Sequence, residues 1–177
     1  MTSGQTALFQ GGENPYLRLF LMRSLDMTSV IDDLIARYKA KPVKSESEIT
    51  DEEIVTLMKA ARIAPSPDNS QIWRFLIIRD KRKIEEVLKI SRISGRIYKV
   101  LIISLAAPFF IRHTRREQPF YAMDVPIAIT HIYLQGLELN IDVDIHFVFE
   151  EDDVKKMLNL PDGLKSVAIL GLNKYED

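Results

Sequence analysis

The segment from Ile49 to Pro65 constrains this chain most, because both ends of a helix can be read in it. Thr50–Glu53 has the pattern of a capping box, in which the Thr and Glu side chains bond each other's backbone amides. Ile49 and Ile54 flank it as a hydrophobic staple. Pro65 disfavours a helical conformation in the residue before it. The spacing therefore predicts a helix that begins at Thr50 and ends before Pro65.

The rest of the chain alternates between continuous apolar runs, which predict buried strands, and apolar stripes at helical spacing. The predicted strands are Phe75–Ile78, Val100–Leu105, Asp144–Phe149 and Ser166–Leu170. The other predicted helices are Thr28–Tyr38, Lys81–Ile90, Asp124–Asn140 and Glu151–Leu158. This order predicts an α+β or α/β fold, with one sheet that carries helices.

An apolar helix is also predicted near the N-terminus, over Asn14–Leu25. Its apolar residues cover nearly the whole circumference, so it must pack on its own domain or on a partner subunit. Its most apolar part, Leu17–Met22, is interrupted by Arg18 and is far shorter than the roughly 20 residues of a membrane span. We therefore expect no membrane segment and no secretory signal, and a cytoplasmic protein.

Several classes of function find no support in the sequence. The net charge of −1 gives no overall basic field for nucleic acid. The absence of cysteine excludes disulfides, thiolate metal sites and a cysteine nucleophile. No glycine-rich dinucleotide fingerprint, phosphate-binding P-loop or Gly-x-Ser-x-Gly motif is present. The three histidines lack metal-ligand spacing, so we expect no metal and interpret them as surface or packing residues.

Two segments carry candidate chemistry, each with a plainer alternative. Arg37, Lys39 and Lys41 follow a predicted helix end, where they either complement the helix dipole or converge on one phosphate. The turn-forming cluster Ala64–Gln71 is either an ordinary helix-to-strand loop or a loop that lines a ligand. Spacing alone leaves both alternatives open.

Together these segments resemble the nitroreductase family of FMN flavoproteins over about residues 28–172. Ala60–Phe75 is similar to the family's most specific motif, with Ile72 where proline is usual. Arg37–Lys41 resembles its phosphate-binding segment, in which Lys39 replaces a serine and Tyr38 a basic residue. Asp124–Asn140 resembles its long helix, and Ile145–Val148 falls where main-chain groups approach flavin N5, without the usual glycine.

The resemblance implies a three-layer α+β sandwich, with a central mixed sheet flanked by helices, assembled as an intertwined homodimer. Residues 28–177 would form the FMN-binding domain, and residues 1–27 an extension that clasps the partner. Two flavins would lie at the dimer interface. The implied cofactor-binding residues are Arg37, Tyr38, Lys39, Lys41, Pro65, Ser66, Asn69, Phe147 and Val148. Of these, Pro65, Ser66 and Asn69 would come from the partner subunit.

The implied activity is an FMN-dependent oxidoreductase that passes hydride from NADH or NADPH to flavin N5 and electrons to a nitro or quinone-like acceptor. Ping-pong kinetics would follow, and no catalytic side chain is required because the flavin performs the chemistry. We expect no counterpart here of the family's C-terminal arm, which supplies a further cation to the phosphate. Two alternatives remain: a specialised or degenerate flavin-binding relative without nitroreductase activity, and a structural dimer without flavin.

Overall fold

The computed structural model describes residues 43–107 and 120–175, together with Asp32 and Ala36. The strands are β1 (Val43–Ser45), β2 (Trp73–Ile78), β3 (Val100–Ala106), β4 (Ile141–His146) and β5 (Lys165–Tyr175). The helices are α1 (Asp51–Arg62), α2 (Lys81–Ile90), α3 (Tyr121–Glu138) and α4 (Glu151–Leu158), with a 3-10 turn at Pro67–Asn69. Asp32 and Ala36, within the predicted helix Thr28–Tyr38, are helical and exposed. The predicted N-terminal helix lies outside the described residues.

All described strands belong to one sheet, in which β5 is central. It pairs with β3 on one edge and β4 on the other, β2 extends the sheet beyond β3, and β1 pairs with the end of β5. Every one of these pairs is antiparallel. The α+β class is confirmed, but the described sheet is antiparallel rather than mixed. The reason is that β3 starts at the end of the sheet where β2 finished, and β5 starts at the end where β4 finished. The segments that contain α2 and α4 therefore lead into strands that run in the opposite direction.

Two apolar cores cover the two faces of the sheet. Ile102 of β3 and Leu170 of β5 pack with α1 and α3 on one face, whereas Ile103 and Ile169 pack with α2 and α4 on the other. Because successive strand residues point to opposite faces, a strand that is covered on both sides must be apolar at nearly every position. The continuous apolar runs of the sequence have this cause, and the three-layer sandwich is confirmed.

Two element boundaries differ from the predicted ones. Helix α3 begins at Tyr121, not at Asp124, so Pro126 lies inside the helix. Strand β4 runs from Ile141 to His146 and ends before Phe147. Its inward stripe consists of Ile141, Val143 and Ile145. Phe149, predicted on that same stripe, packs instead with the core on the other face. The chain therefore leaves the ladder where the alternating pattern predicted that it continues.

The capping box is confirmed, and it has a second function. Glu53 accepts from the Thr50 amide at 2.9 Å with one oxygen, while Thr50 Oγ1 accepts from the Glu53 amide at 3.2 Å. The other Glu53 oxygen pairs with the Lys174 ammonium, which also donates to the carbonyl of Leu139 at 3.2 Å. Lys174 is the last cation of the sequence. Its partners thus tie the end of β5 to the start of α1.

Position 171 must be glycine because the side chain of Tyr98 lies directly on its backbone. A Cβ built at Gly171 would lie 2.4 Å from the ring of Tyr98, so the ring rests directly on the glycine backbone. Tyr98 is buried, and it belongs to the core that contains α2 and α4. A rigid ring over a central strand cannot shift as a flexible side chain would.

Gly171→Ala should therefore lower the free energy of unfolding by about 1–3 kcal/mol, the usual cost of overpacking a core. Urea unfolding of the variant and the wild type measures it. Gly95→Asn is the control for a substitution without overpacking, because nothing lies within 4 Å of its added Cβ. Its only expected cost is the left-handed φ of +70°, which asparagine tolerates better than most residues. Equal stability of Gly171→Ala and the wild type would contradict the packing of Tyr98 on β5.

Candidate functional site

The loop between α1 and β2 has an unusual backbone. Asp68, Asn69 and Gln71 have φ values of 52°, 52° and 44°, in the left-handed region that non-glycine residues seldom adopt. Such residues cost free energy and persist only where the surroundings fix them, which is common at binding sites. A loop with no function beyond connection would seldom retain three of them.

Gln71 and Ser66 hold this loop in place. The backbone amide of Gln71 donates to Ser66 Oγ at 3.1 Å. The side-chain Nε2 of Gln71 donates to the Arg62 carbonyl and to Asn69 Oδ1, both at 3.0 Å. The interpretation of Ala64–Gln71 as a loop is confirmed. Gln71 was not among the predicted site residues, although it lies within the motif.

The three predicted site residues of this loop are accessible. Pro65 and Asn69 are exposed, and Ser66 is half-buried. The Asn69 oxygen accepts from Gln71, which turns the Asn69 amide nitrogen outwards. Ser66 Oγ shapes the loop by accepting a hydrogen bond and retains its own proton to donate.

The topology brings this loop to the same end of the sheet as Phe147 and Val148. The first residue of β2 pairs with Ala106 at the end of β3, and Leu105 pairs with Ser166 at the start of β5. The last residue of β4 pairs with Ile169 of β5. Three strand spacings across the sheet, about 14 Å, and four residues along β5, about 13 Å, therefore separate the start of β2 from the end of β4.

Phe147 and Val148 present their main chain beyond the ladder. They follow the last pair of β4, and their relative exposures are 54% and 92%. Neither residue has a positive φ, so the segment does not need the glycine that is usual in the resemblance. Valine fits here without backbone strain.

A buried carboxyl group lies at the same end of the sheet. Helix α3 leads directly into β4 and runs back along it, so its first turn, with Asp124, lies where β4 ends. Asp124 is buried, and its Oδ2 has no hydrogen-bond partner in the described part of the chain. Burial raises the pKa of Asp124 above its ordinary value.

A polar cluster lies at the end of β4 on the face covered by α2 and α4. The Tyr98 hydroxyl donates to Asp144 Oδ2 at 2.6 Å and lies 2.8 Å from His146 Nε2. Burial, and then the hydrogen bond to Asp144, raise the pKa of Tyr98 well above its ordinary value. This cluster is not among the sequence predictions, in which His146 is a surface or packing residue. Alternation of Asp142 and Asp144 with apolar residues was the available signal.

A described cleft of about 520 Å³ is lined by four cations, three of which pair with carboxylates. Arg79 pairs with Asp51 at 2.8 Å, Arg96 with Asp144 at 3.6 Å and Lys99 with Glu48 at 3.0 Å. None of the predicted cofactor residues lines it. Arg37, Tyr38, Lys39 and Lys41 lie outside the described residues.

Comparison with known proteins identifies the family. The nitroreductase family model matches residues 34–99. A protein of Archaeoglobus fulgidus, provisionally named NADH dehydrogenase/NAD(P)H nitroreductase, is 40% identical over 142 residues, which cover 76% of this chain and 79% of that protein. This chain belongs to the nitroreductase family. The predicted family is thus confirmed, and with it the class of enzyme, an oxidoreductase.

Solved nitroreductase structures share the fold. A nitroreductase family protein of Clostridium difficile 630 superposes with a TM-score of 0.69 at 21% identity, over 81% of this chain and 84% of that one. The FMN-dependent nitroreductase of Clostridium difficile R20291 gives a TM-score of 0.67 at 18% identity, over 81% and 88%. In the described part of this nitroreductase, no helix is long and apolar enough to cross a membrane.

Asp124→Asn should stabilise the protein at neutral pH. A carboxyl whose folded pKa is raised contributes stability below its unfolded pKa and loses it as pH rises through the folded pKa. The variant should gain about 1 kcal/mol at pH 7, and almost nothing at about pH 4, near the unfolded pKa. Thermal unfolding at both pH values measures the difference.

Asp142→Asn is the control, because Asp142 accepts a hydrogen bond from Tyr175 at 3.1 Å and its variant should lose stability at pH 7. A loss of stability at pH 7 in Asp124→Asn as well would mean that a group outside the described residues pairs with the Asp124 carboxylate.

Proposed function

We propose that this nitroreductase binds FMN and passes hydride from NADH or NADPH to a small organic acceptor of the nitro or quinone type. The observation that carries the proposal is the fixed loop Ala64–Gln71 with its exposed residues Pro65 and Asn69, which in a homodimer would meet the open main chain of Phe147–Val148 from the other subunit at one flavin. The FMN dependence of a nitroreductase of the same fold supports the choice of cofactor.

The described residues suit an isoalloxazine ring. Asn69 offers an amide nitrogen and Ser66 a hydroxyl proton, donors that fit the polar edge of the ring. Pro65 and the Phe147 side chain are exposed apolar surfaces that suit its flat face. Because the loop is already fixed by Gln71, little conformational entropy is lost when it engages a ligand.

When bound, FMN would supply the chemistry, since N5 accepts hydride from a reduced nicotinamide and returns electrons to the acceptor. The residues of this chain hold and orient, and none of them needs to act as acid or base. Donor and acceptor would use the same face in turn, which gives ping-pong kinetics.

The phosphate is assigned to Arg37, Lys39 and Lys41, with Tyr38 alongside. Lys174 is engaged by Glu53 and by the carbonyl of Leu139, and is not available to a phosphate. Arg79, Arg96 and Lys99 of the described cleft are paired with carboxylates. The segment 37–41 would supply the main positive charge to the phosphate dianion.

A homodimer would complete the site, with Pro65, Ser66 and Asn69 reaching the flavin of the partner subunit. Exposed apolar side chains support such an interface, since they recur on α1, β2 and α3, elements that share one core. They are Val55, Ile63, Ile77, Met123 and Ile127. Residues 1–27 would extend this interface as an arm that clasps the partner.

Removal of one phosphate cation should weaken FMN and leave riboflavin unaffected. Each charge-assisted hydrogen bond is worth roughly 1.5–3 kcal/mol, so Arg37→Ala or Lys41→Ala should weaken FMN by about 10- to 100-fold. Riboflavin lacks the phosphate, and its affinity should be unchanged. Quenching of flavin fluorescence by cofactor-free protein measures both affinities.

Lys59→Ala is the matched control, because Lys59 is an exposed cation of the last turn of α1 and complements the helix dipole only. Equal weakening of both flavins in Arg37→Ala would overturn the phosphate assignment. Failure of the wild type to bind FMN at micromolar concentration would overturn the proposed cofactor and favour a structural dimer.

Charge placed on the exposed apolar surface should dissociate the dimer. Obligate interfaces commonly exceed about 2,000 Å², and a buried, unpaired carboxylate at their centre is costly. Met123→Glu/Ile127→Glu should therefore sediment as a monomer at sub-micromolar concentration, where the wild type should remain a dimer. Ile97→Glu is the control: Ile97 is 74% exposed but lies outside the surface formed by α1, β2 and α3. A monomeric wild type would contradict the shared site.

A further inference from the structure

The connector between α2 and β3, residues 92–98, contacts the chain on both sides of Phe147–Val148. Before that segment, Tyr98 bonds Asp144 and His146, and Arg96 Nε lies 3.6 Å from Asp144 Oδ2. After it, Arg92 pairs with Glu150 at 3.5 Å. The two exposed residues are thus bracketed by contacts to one connector.

The Tyr98 hydroxyl is the strongest of these contacts, because it has two partners. It donates its only proton to Asp144 Oδ2 at 2.6 Å. It must therefore accept from His146 Nε2, 2.8 Å away, so that nitrogen carries a proton. The Asp144 carboxylate lies 3.7 Å from the same nitrogen and favours that proton. One hydroxyl group consequently fixes two side chains of the last three residues of β4.

The connector itself is anchored to β5, independently of β4. Asn173 Nδ2 donates to the Ile97 carbonyl at 2.8 Å, and the Lys99 amide donates to the Leu172 carbonyl at 3.0 Å. The Tyr98 ring rests on Gly171. Because its base is held by the central strand, the connector is a rigid support for the end of β4.

We propose that Tyr98, through Asp144 and His146, is a positioning residue that fixes the main chain of Phe147–Val148 for the flavin. This inference rests on the proposed function, which gives that main chain its ligand. Tyr98 does not touch the ligand; it holds the strand end from which the segment leaves. Among the described residues the ladder of β4 ends at His146, so the contacts of the connector are the ones that hold the chain at this point.

Tyr98→Phe tests the inference, because it keeps the ring on Gly171 and removes both hydrogen bonds. In cofactor-free protein, hydrogen exchange in a peptide spanning residues 144–150 should become about 10-fold faster, which corresponds to the loss of one hydrogen bond to a charged group. FMN affinity should fall by about the same factor, since the bound geometry is then populated less often.

Tyr175→Phe is the matched control, because its hydroxyl donates to Asp142, at the opposite end of the same strand. It should change neither the hydrogen exchange of residues 144–150 nor the affinity for FMN. A second pair of variants guards against general destabilisation. His146→Gln keeps a side-chain donor within reach of the Tyr98 oxygen and should behave nearly as the wild type. His146→Leu should speed exchange less than Tyr98→Phe does, because the Tyr98–Asp144 hydrogen bond remains.

Unchanged exchange in Tyr98→Phe, or an equal increase in Tyr175→Phe, would overturn the inference whatever the flavin does. Faster exchange with unaltered FMN affinity would overturn the link between Tyr98 and the cofactor. A wild type that binds no FMN, combined with faster exchange in Tyr98→Phe, would support the positioning of the segment and refute the proposed function alone.

Discussion

The fold depends on the pairing of β5 along both of its edges. β3 pairs with β5 between Lys165 and Leu172 along one edge, β4 pairs between Ile169 and Lys174 along the other, and helices cover both faces. Two polar side chains of β5 also hold neighbouring elements: Asn173 holds the connector, and Lys174 holds the start of α1. Its glycine leaves room for the ring of Tyr98. Displacement of this strand would release every other element of the sheet.

The same antiparallel pairing creates the candidate site. A loop before β2 and a segment after β4 are far apart in the sequence, yet antiparallel order returns both to one end of the sheet. Three costs of the described structure lie there: three left-handed residues in the loop, an unpartnered oxygen on Asp124, and a main chain beyond the end of the β4 ladder. Proteins tolerate such costs mainly where function requires them.

Much of the fold could be predicted because its signals are local. The capping box fixed the start of α1 within one residue, and the runs Phe75–Ile78 and Val100–Leu105 lie within β2 and β3. The predictions that failed depend on tertiary context. An alternating pattern continues to Phe149, but the ladder ends at His146, because Phe149 is needed in the opposite core. The antiparallel order could not be derived either, since a helix between two strands commonly implies a parallel pair.

The candidate site also contains residues that local sequence signals predict and residues that depend on tertiary context. Pro65, Ser66 and Asn69 belong to one contiguous motif, and their chemistry can be read from residue types and spacing alone. Tyr98 and His146 are separated by a whole helix, two strands and their loops, so no local pattern joins them. A tyrosine between a carboxylate and an imidazole is recognisable only when the register of β4 on β5 places Asp144 opposite Gly171, beneath the ring. The residues proposed to touch a ligand can thus be inferred from a motif, whereas the residues proposed to position them follow from the pairing of the sheet.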